Sequence, residues 1–318
     1  MDNKPLLSIC IPTYNHAPFL DLVLKRLRDI CVKNRIHIYI SDNNSEDNTE
    51  AVVESAKLSN GFIHYYRQNV NIGPDDNFEF VLKMSDTKYR WLMSDACYVD
   101  EMDGLIEDLS TSDYDGYILG APYYRGRFLP NRRIEYCNSI DLMRDVGWHL
   151  SWISCMIYNE RLIQKMDFRR YKNSSFNQTA LMFDPTAYNK STFVFNNRII
   201  VKNITLQDYP IMKESGWTYH VFDVMYRQWY LLIMSLPLYY PYETKIKCIN
   251  ESYKYSSAIG VFAHIRRRVE NKWNLNDVLR NRVFITRHFY ILLVIAICPK
   301  FLLRLIVRLG EYVKQILR

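Results

Sequence analysis

Short apolar runs and helical apolar faces alternate along the first hundred residues. Leu7-Ser8-Ile9-Cys10-Ile11 is a β-favouring run closed by Pro12, the pattern of a buried strand. Pro18 to Ile30 has apolar residues at 19, 20, 22, 23, 24 and 27, which share one face of a helix. Ile36 to Ile40 predicts a second strand, stopped by the turn-rich Ser41-Asp42-Asn43-Asn44-Ser45, and Asn48 to Leu58 a second helix capped near Asn48 or Thr49. Phe62 to Tyr66 and Tyr89 to Met93 read as further strands, with a helix over Asn77 to Met84 between them. Strands alternating with helices at this spacing predict a largely parallel sheet covered on both faces. Ligands of such sheets bind at the carboxyl ends of the strands.

Further along, Tyr117-Ile118-Leu119, Ser151 to Tyr158 and Phe193 to Lys202 predict strands, the second followed by a helix from Glu160. A long aromatic-rich helix is expected over Trp217 to Leu236. Phe289 to Cys298 is apolar throughout but short of the roughly 20 residues a bilayer-spanning helix needs. After Pro299, Lys300, Arg304 and Arg308 recur every four residues among Phe301, Leu302, Leu305, Ile306 and Leu309. A basic stripe beside an apolar face suits a helix lying in a membrane interface. A helix packed on the protein's own core and a re-entrant or spanning segment over 284–309 are the alternatives.

Composition changes this picture little. With 318 residues, 48% hydrophobic and 24% charged, the chain can bury a sizeable core, which excludes global disorder and a disulfide-stapled miniprotein. The 10 Gly and 11 Pro leave no material for a collagen-like segment. Twenty-five Tyr suit surfaces that touch sugars, bases or lipid, though a plain compositional bias explains them equally well.

Charge is more informative. The net +7 is concentrated at the end: from His264 onward there are twelve Lys and Arg against three acidic residues, and the preceding body is nearly neutral. That distribution favours a local anionic partner such as a membrane surface. A nucleic-acid-binding protein is not expected, because no base-reading module is present. Seven Cys without a Cys-x-x-Cys pair read as reduced thiols, and the opening MDNKPLLSICIP does not read as a secretory signal.

Two predicted strands end in polar loops, Pro12-Thr13-Tyr14-Asn15 and Ser41-Asp42-Asn43-Asn44-Ser45-Glu46-Asp47-Asn48-Thr49. At such an edge Asp42 can accept a hydrogen bond from a nucleobase. Equally, Asp42 and Asp47 can simply make Asx turns and cap the next helix. Together with Asn71-Ile72-Gly73-Pro74-Asp75-Asp76-Asn77-Phe78, however, these runs resemble family 2 glycosyltransferases with the GT-A fold. The Gly-Pro-Asp before Asn77 most resembles bacterial O-antigen glycosyltransferases of the abequosyltransferase type. The resemblance is specific over residues 6–98, faint to about 205 and absent in the tail.

The resemblance implies an α/β fold, a GT-A-like Rossmann-type mixed sheet flanked by helices, followed by a C-terminal amphipathic helical extension. It implies a nucleotide-sugar half over 1–98, an acceptor-side half over 99–215 and a helical, membrane-associating region over 216–318. Carried over residue by residue, Pro12, Thr13 and Asn15 would line the nucleotide pocket, with Asp42 holding the base. Asn71, Gly73 and Asn77 would shape the ribose and diphosphate side, with Ser94 and Asp95 nearby. The expected reaction moves a sugar from a nucleotide-sugar donor to a lipid-linked saccharide acceptor in O-antigen or surface polysaccharide synthesis, at the cytoplasmic face of the inner membrane. A non-catalytic nucleotide- or glycan-binding protein on the same fold is the rival reading.

The chain departs from the family pattern twice. After the fourth predicted strand, relatives carry paired acids that bind a divalent cation, Mg²⁺ or Mn²⁺; here Asp95 is followed by Ala96 and Cys97, which puts that metal in doubt. Asp100 is a distant substitute ligand. The general base expected near Phe176-Asn177-Gln178 is also missing. Asp184 is the substitute named from sequence, with a turn-capping role at Asp184-Pro185 as its alternative, and His149, next to Trp148, is a further group within reach of an acceptor, with a structural role as its alternative.

Overall fold

The structure, a computed structural model, describes residues 4–121, 129, 131–204, 223–255, 275–285, 289–299, 301–303, 305 and 309. The first half follows the expected alternation: β1 (Leu7–Thr13), α1 (Ala17–Asn34), β2 (His37–Asp42), α2 (Thr49–Lys57), β3 (Ile63–Arg67), α3 (Pro74–Met84) and β4 (Tyr89–Leu92). A short β5 (Cys97–Tyr98) and α4 (Asp103–Thr111) lead to β6 (Gly116–Gly120), β7 (Arg133–Tyr136), α5 (Ser139–Val146), β8 (Met156–Asn159) and α6 (Glu160–Lys165). Then come α7 (Asn177–Phe183), β9 (Phe193–Ile200), β10 (Lys202–Asn203), α8 (Trp229–Ser235), α9 (Tyr242–Tyr255), α10 (Leu275–Arg280) and α11 (Phe289–Ile297).

Eight strands form one sheet in the order β3-β2-β1-β4-β8-β6-β9-β7, and β10 pairs with β5 apart from it. The β3-β2-β1-β4 portion is parallel, as expected for strands joined through helices. Beyond it β8 runs antiparallel to both β4 and β6, so the sheet is mixed.

Strand side chains alternate between two cores, one on each sheet face. Ile9, Ile11, Trp91, Tyr117 and Leu119 join the apolar faces of α1, α2 and α4. Cys10, Leu92, Ile118, Met156 and Phe195 join α3, α5, α7, α8 and α9 on the opposite face. Trp91, fully buried, donates its indole N–H to the Ser154 carbonyl at 2.7 Å, so this side chain leaves no unmet donor.

Several boundaries differ from expectation for local reasons. α1 continues past Ile30 because Arg35, at φ +52°, is what ends it, its N–H turned back to the carbonyls of Cys31 and Val32. α3 starts three residues earlier than the apolar pattern indicates. Gly73 at φ +86° turns the chain and Pro74 supplies the helical φ of the first turn, followed there by Asp75 and Asp76. The strand expected over 151–158 is confined to β8, because residues 147–151 form a 3₁₀ turn and Ser154 sits at φ +91°. Of the helix expected over 217–236, residues 223–236 are described, and 223–235 are helical, beginning with a π-helical turn.

Among the described residues no helix is long and apolar enough to cross a membrane. α11 buries Leu292, Ile295 and Ala296 against the α5–α9 core, while Tyr290, Ile291, Val294 and Ile297 are exposed. Lys300, Arg304, Arg308, Arg266 to Arg268, Lys272 and Arg287 lie outside the described residues.

Candidate functional site

β1 and β2 are in parallel register up to the pair Thr13 and Asp42, so their loops leave the sheet side by side. Backbone and side chain then join them. Asn43 N–H donates to the Thr13 carbonyl at 2.9 Å, Asn15 N–H to Ser45 Oγ at 2.8 Å, and Glu46 N–H to Asn15 Oδ1 at 2.7 Å. Asn15 and Asn44 take the left-handed conformations, φ +51° and +64°, that Asn tolerates better than most residues. Pro12 lies buried within β1 beside Ser41.

Asp42 is 1% exposed. Its Oδ1 accepts the Ser45 N–H at 2.8 Å, the turn that the sequence allows, and Oδ2 accepts the Tyr65 hydroxyl at 2.7 Å. Each oxygen retains a further lone pair, so the carboxylate is held in place without being saturated.

Asn43 ties the third segment to these two loops. Its Nδ2 donates to Asn71 Oδ1 at 3.0 Å and to the Gly73 carbonyl at 3.3 Å, while its Oδ1 accepts the Ile72 N–H at 2.8 Å. Asn77 is buried and spent on Ser41: it accepts from the Ser41 hydroxyl at 2.6 Å and donates to the Ser41 carbonyl at 3.1 Å. Its direct work is to fix α3 on the end of β2.

Asp95 stands where β4 leaves the sheet beside β1. Thr13 Oγ1 donates to its Oδ2 at 2.8 Å, and His16 Nδ1 donates to its Oδ1 at 2.9 Å. Ser94 anchors the turn, its N–H donating to Ser154 Oγ at 2.9 Å. Burial of the His16 ring opposes protonation, but the Asp95 hydrogen bond and the Asp95 and Asp47 charges outweigh it and raise its pKa above the ordinary histidine value.

These residues do not by themselves fit a divalent cation. Each Asp95 oxygen accepts a hydrogen bond and keeps a further lone pair, so Asp95 offers one carboxylate and no acidic neighbour, and the Cys97 thiol donates to Asn203 Oδ1 while burial pushes its pKa up to about 12. Asp100, the distant substitute named from sequence, is instead paired with Lys202 on β10. Among the described residues no three His, Cys, Asp or Glu side chains are grouped to hold a metal.

The acceptor-side expectations are placed differently. His149 is 1% exposed and donates from Nε2 to the Leu119 carbonyl at 2.8 Å. Burial lowers its pKa to about 4, so this ring is a neutral core group rather than one facing an acceptor. Asp184 follows the last residue of α7, at the opposite end from Asn177 and Gln178, and accepts from Arg170 Nη1 at 3.0 Å and the Tyr171 hydroxyl at 2.7 Å. Thr13, Asn15, Asp42, Asn71, Gly73 and Asp95 are therefore brought to one strand edge, and Asp184 is tied into a separate network. Sequence reasoning passed over His16 and Asn43, which lie in or beside the motifs. It also missed Tyr65, whose strand position carries no signal for its bond to Asp42.

Residues 8–184 match the profile of Glycosyl transferase family 2, more than half of the chain. The chain belongs to that family. The chain is 34% identical over 151 residues to abequosyltransferase RfbV of Salmonella typhimurium, a match that covers 46% of this chain and 41% of that one. It is 29% identical over 115 residues to the GalNAc(5)-diNAcBac-PP-undecaprenol beta-1,3-glucosyltransferase of Campylobacter jejuni, covering 36% of each. The chain thus spans about two fifths of the length of these curated relatives in the matched stretches.

Its fold is similar to that of S. aureus TarS 1-349 in complex with UDP-GlcNAc, with a TM-score of 0.57 at 15% identity over 90% of this chain and 83% of that one. It is also similar to the mannosyltransferase PcManGT of Pyrobaculum calidifontis, in complex with GDP-Man and Mn2+. There the TM-score is 0.54 at 11% identity, over 93% and 85% of the two chains. The GT-A fold implied by the strand-end motifs is the fold observed.

Proposed function

We propose that this glycosyltransferase moves a sugar from a nucleotide-sugar donor to a lipid-linked saccharide acceptor in O-antigen or surface polysaccharide synthesis. The observation that carries the reading is the convergence, in a family 2 chain, of the loops at 12–15, 42–47, 71–77 and 94–95 on one edge of the sheet. Asp42 then faces the base, Asn71 and Gly73 the ribose side, and Thr13, Ser94 and Asp95 the diphosphate side. Residues 1–98 serve the donor, 99–215 the acceptor, and the remainder supports both and meets the membrane. The UDP-GlcNAc and GDP-Man complexes of the two structural neighbours and the undecaprenol-linked substrate in the Campylobacter relative's name support these substrate classes. PcManGT was solved with Mn2+, but no step is assigned to a metal in this chain.

The reading includes peripheral attachment at the inner face of the cytoplasmic membrane. In support, the outward side of α11 is apolar at Tyr290, Ile291, Val294 and Ile297, and the exposure continues at Phe301, Leu302, Leu305 and Leu309. Such a face sinks about 5–10 Å into a headgroup boundary.

Thermal unfolding of the full chain with UDP-, GDP-, CDP- and dTDP-sugars tests the donor claim. A bound donor at a hundred times its Kd adds about 2.7 kcal/mol of stability. No stabilisation by any of them would remove the proposal. A second reading, a binding protein without turnover, draws on the engaged oxygens of Asp95 and on Ala96 and Cys97. Asp95→Asn separates the two, because an enzyme loses transfer and a binder keeps affinity.

A further inference from the structure

A cavity of about 200 Å³ opens beside the donor edge, lined by Gly73, Asp75, Asp76, Asn173, Ser175 and Gln228 among others. That is smaller than the ~300–1,000 Å³ of a typical small-molecule pocket, and suits part of a sugar ring better than a whole nucleotide sugar. The cavity adjoins the donor loops, since Gly73 is the residue whose carbonyl Asn43 holds.

Asp75, in the first turn of α3, forms part of its wall and is 5% exposed. Oδ2 accepts the Ser175 N–H at 3.1 Å, the N–H groups of Asn173 and Ser174 lie near the same carboxylate, and Oδ1 is buried without a well-formed hydrogen bond among the described residues. The opposite wall is shaped for this contact, with Asn173 at φ +64° and Ser175 at φ +60°, and Asn177 donating from Nδ2 to the Asp75 carbonyl at 2.8 Å. A carboxylate oxygen buried without a well-formed hydrogen bond is a costly arrangement, and a hydroxyl bound beside Asp75 at the cavity wall would relieve it.

We infer that Asp75 is the general base of the reaction, binding the acceptor hydroxyl in this cavity and taking its proton. The inference rests on the transfer reaction proposed above. In that step the acceptor oxygen forms a bond to the anomeric carbon of the donor sugar. The bond from that carbon to the diphosphate oxygen breaks, its electron pair leaving with the nucleoside diphosphate. The hydroxyl proton passes to the Asp75 carboxylate and from there to solvent.

The electrostatics agree with the role. Burial, helped by the charge of Asp76, raises the Asp75 pKa to about 6 against the opposing N–H groups of residues 173–175. The surrounding charges are Asp76, paired with Lys172 at 2.5 Å, and Asp223, which accepts from the cavity-lining Gln228 at 2.9 Å and pairs with Arg227. A base of that strength is ionised at neutral pH and still able to hold a proton.

The test compares the full-length wild type with Asp75→Asn, using whichever UDP-, GDP-, CDP- or dTDP-sugar stabilises the wild type and a panel of synthetic polyprenyl-diphosphate-linked saccharides. Asp75→Asn is expected to keep donor Kd within about threefold and to lose at least about 100-fold in kcat. The wild-type kcat/KM should fall below about pH 6, a limb absent from the variant's residual activity. A kcat within about fivefold of wild type overturns the inference, as does weakened donor binding with kcat preserved, which would make Asp75 a donor ligand. Should the variant fail to fold, a wild-type kcat/KM that stays flat from pH 7 to about pH 5 overturns it equally. A wild type that binds no donor refutes the transfer reading itself, a result distinguishable before any variant is made.

Discussion

Replacing Asp75 by Asn should make the protein more stable at neutral and alkaline pH, although it removes a charged group from the candidate site. The folded-state pKa of Asp75 is raised to about 6 from 3.8, chiefly by burial. Below the lower value the carboxyl is protonated in both folded and unfolded chains, and burial costs nothing extra. Between the two values the unfolded chain releases its proton while the folded one keeps it, so stability falls as pH rises. Above the folded pKa the full cost stands. About two pKa units at 1.36 kcal/mol each amount to about 3 kcal/mol. With only 5% of the residue exposed, solvent screening reduces this little. Asn is uncharged and keeps an oxygen for the Ser175 N–H, so it escapes the cost. Urea unfolding followed by fluorescence of the six Trp should show the variant ahead by about 3 kcal/mol at pH 8 and by about 1 kcal/mol at pH 4.5. A variant no more stable than wild type at pH 8, or a gain that does not shrink in acid, would refute the reasoning. A stabilising substitution that abolishes transfer is the behaviour of a residue kept for function at the expense of stability.

Two further outcomes follow from named contacts. Asn77→Ala removes two hydrogen bonds to Ser41 in a buried setting and should lower unfolding stability by about 2–4 kcal/mol, with donor Kd changed less than about threefold; unchanged stability would contradict the anchoring role of Asn77. Combined Val294→Glu and Ile297→Glu substitutions should cut binding to anionic phosphatidylglycerol vesicles at least about tenfold with little change in thermal midpoint, since both side chains are exposed; persistent vesicle binding would remove α11 from the membrane reading. Substitution is preferable here to truncation near residue 264, which would strip Val278, Leu292, Ile295 and Ala296 from the core.

The first half of the fold is legible because its signals are local. The apolar run at 7–11, the helical spacing at 19, 20, 23, 24 and 27, and the turn chemistry of Ser41 to Ser45 depend on neighbouring residues alone. The candidate site's edge was legible for a related reason: in a parallel βαβ arrangement the strand-end loops must emerge on one side, so motifs read separately are bound to meet. The edge strand Arg133–Tyr136, with an exposed Glu135 and little apolar alternation, offers no such signal. Nor does the antiparallel placement of β8, which depends on its neighbours in the sheet.

Pairings between distant segments were decided by tertiary structure. Sequence names Asp95 but not its pairing with the Thr13 and His16 side chains, about eighty residues away, which hydrogen-bond its two oxygens. It singles out Asp184 for an acid missing at Asn177, whereas packing ties Asp184 to Arg170 and Tyr171 and carries Asp75 to the Ser175 loop, 100 residues along the chain. Periodicity and turn propensity say which face a side chain takes. Burial, desolvation and the partners a carboxylate meets arise only when α3 and α7 pack on the same face of one sheet, and these set the chemistry of Asp75.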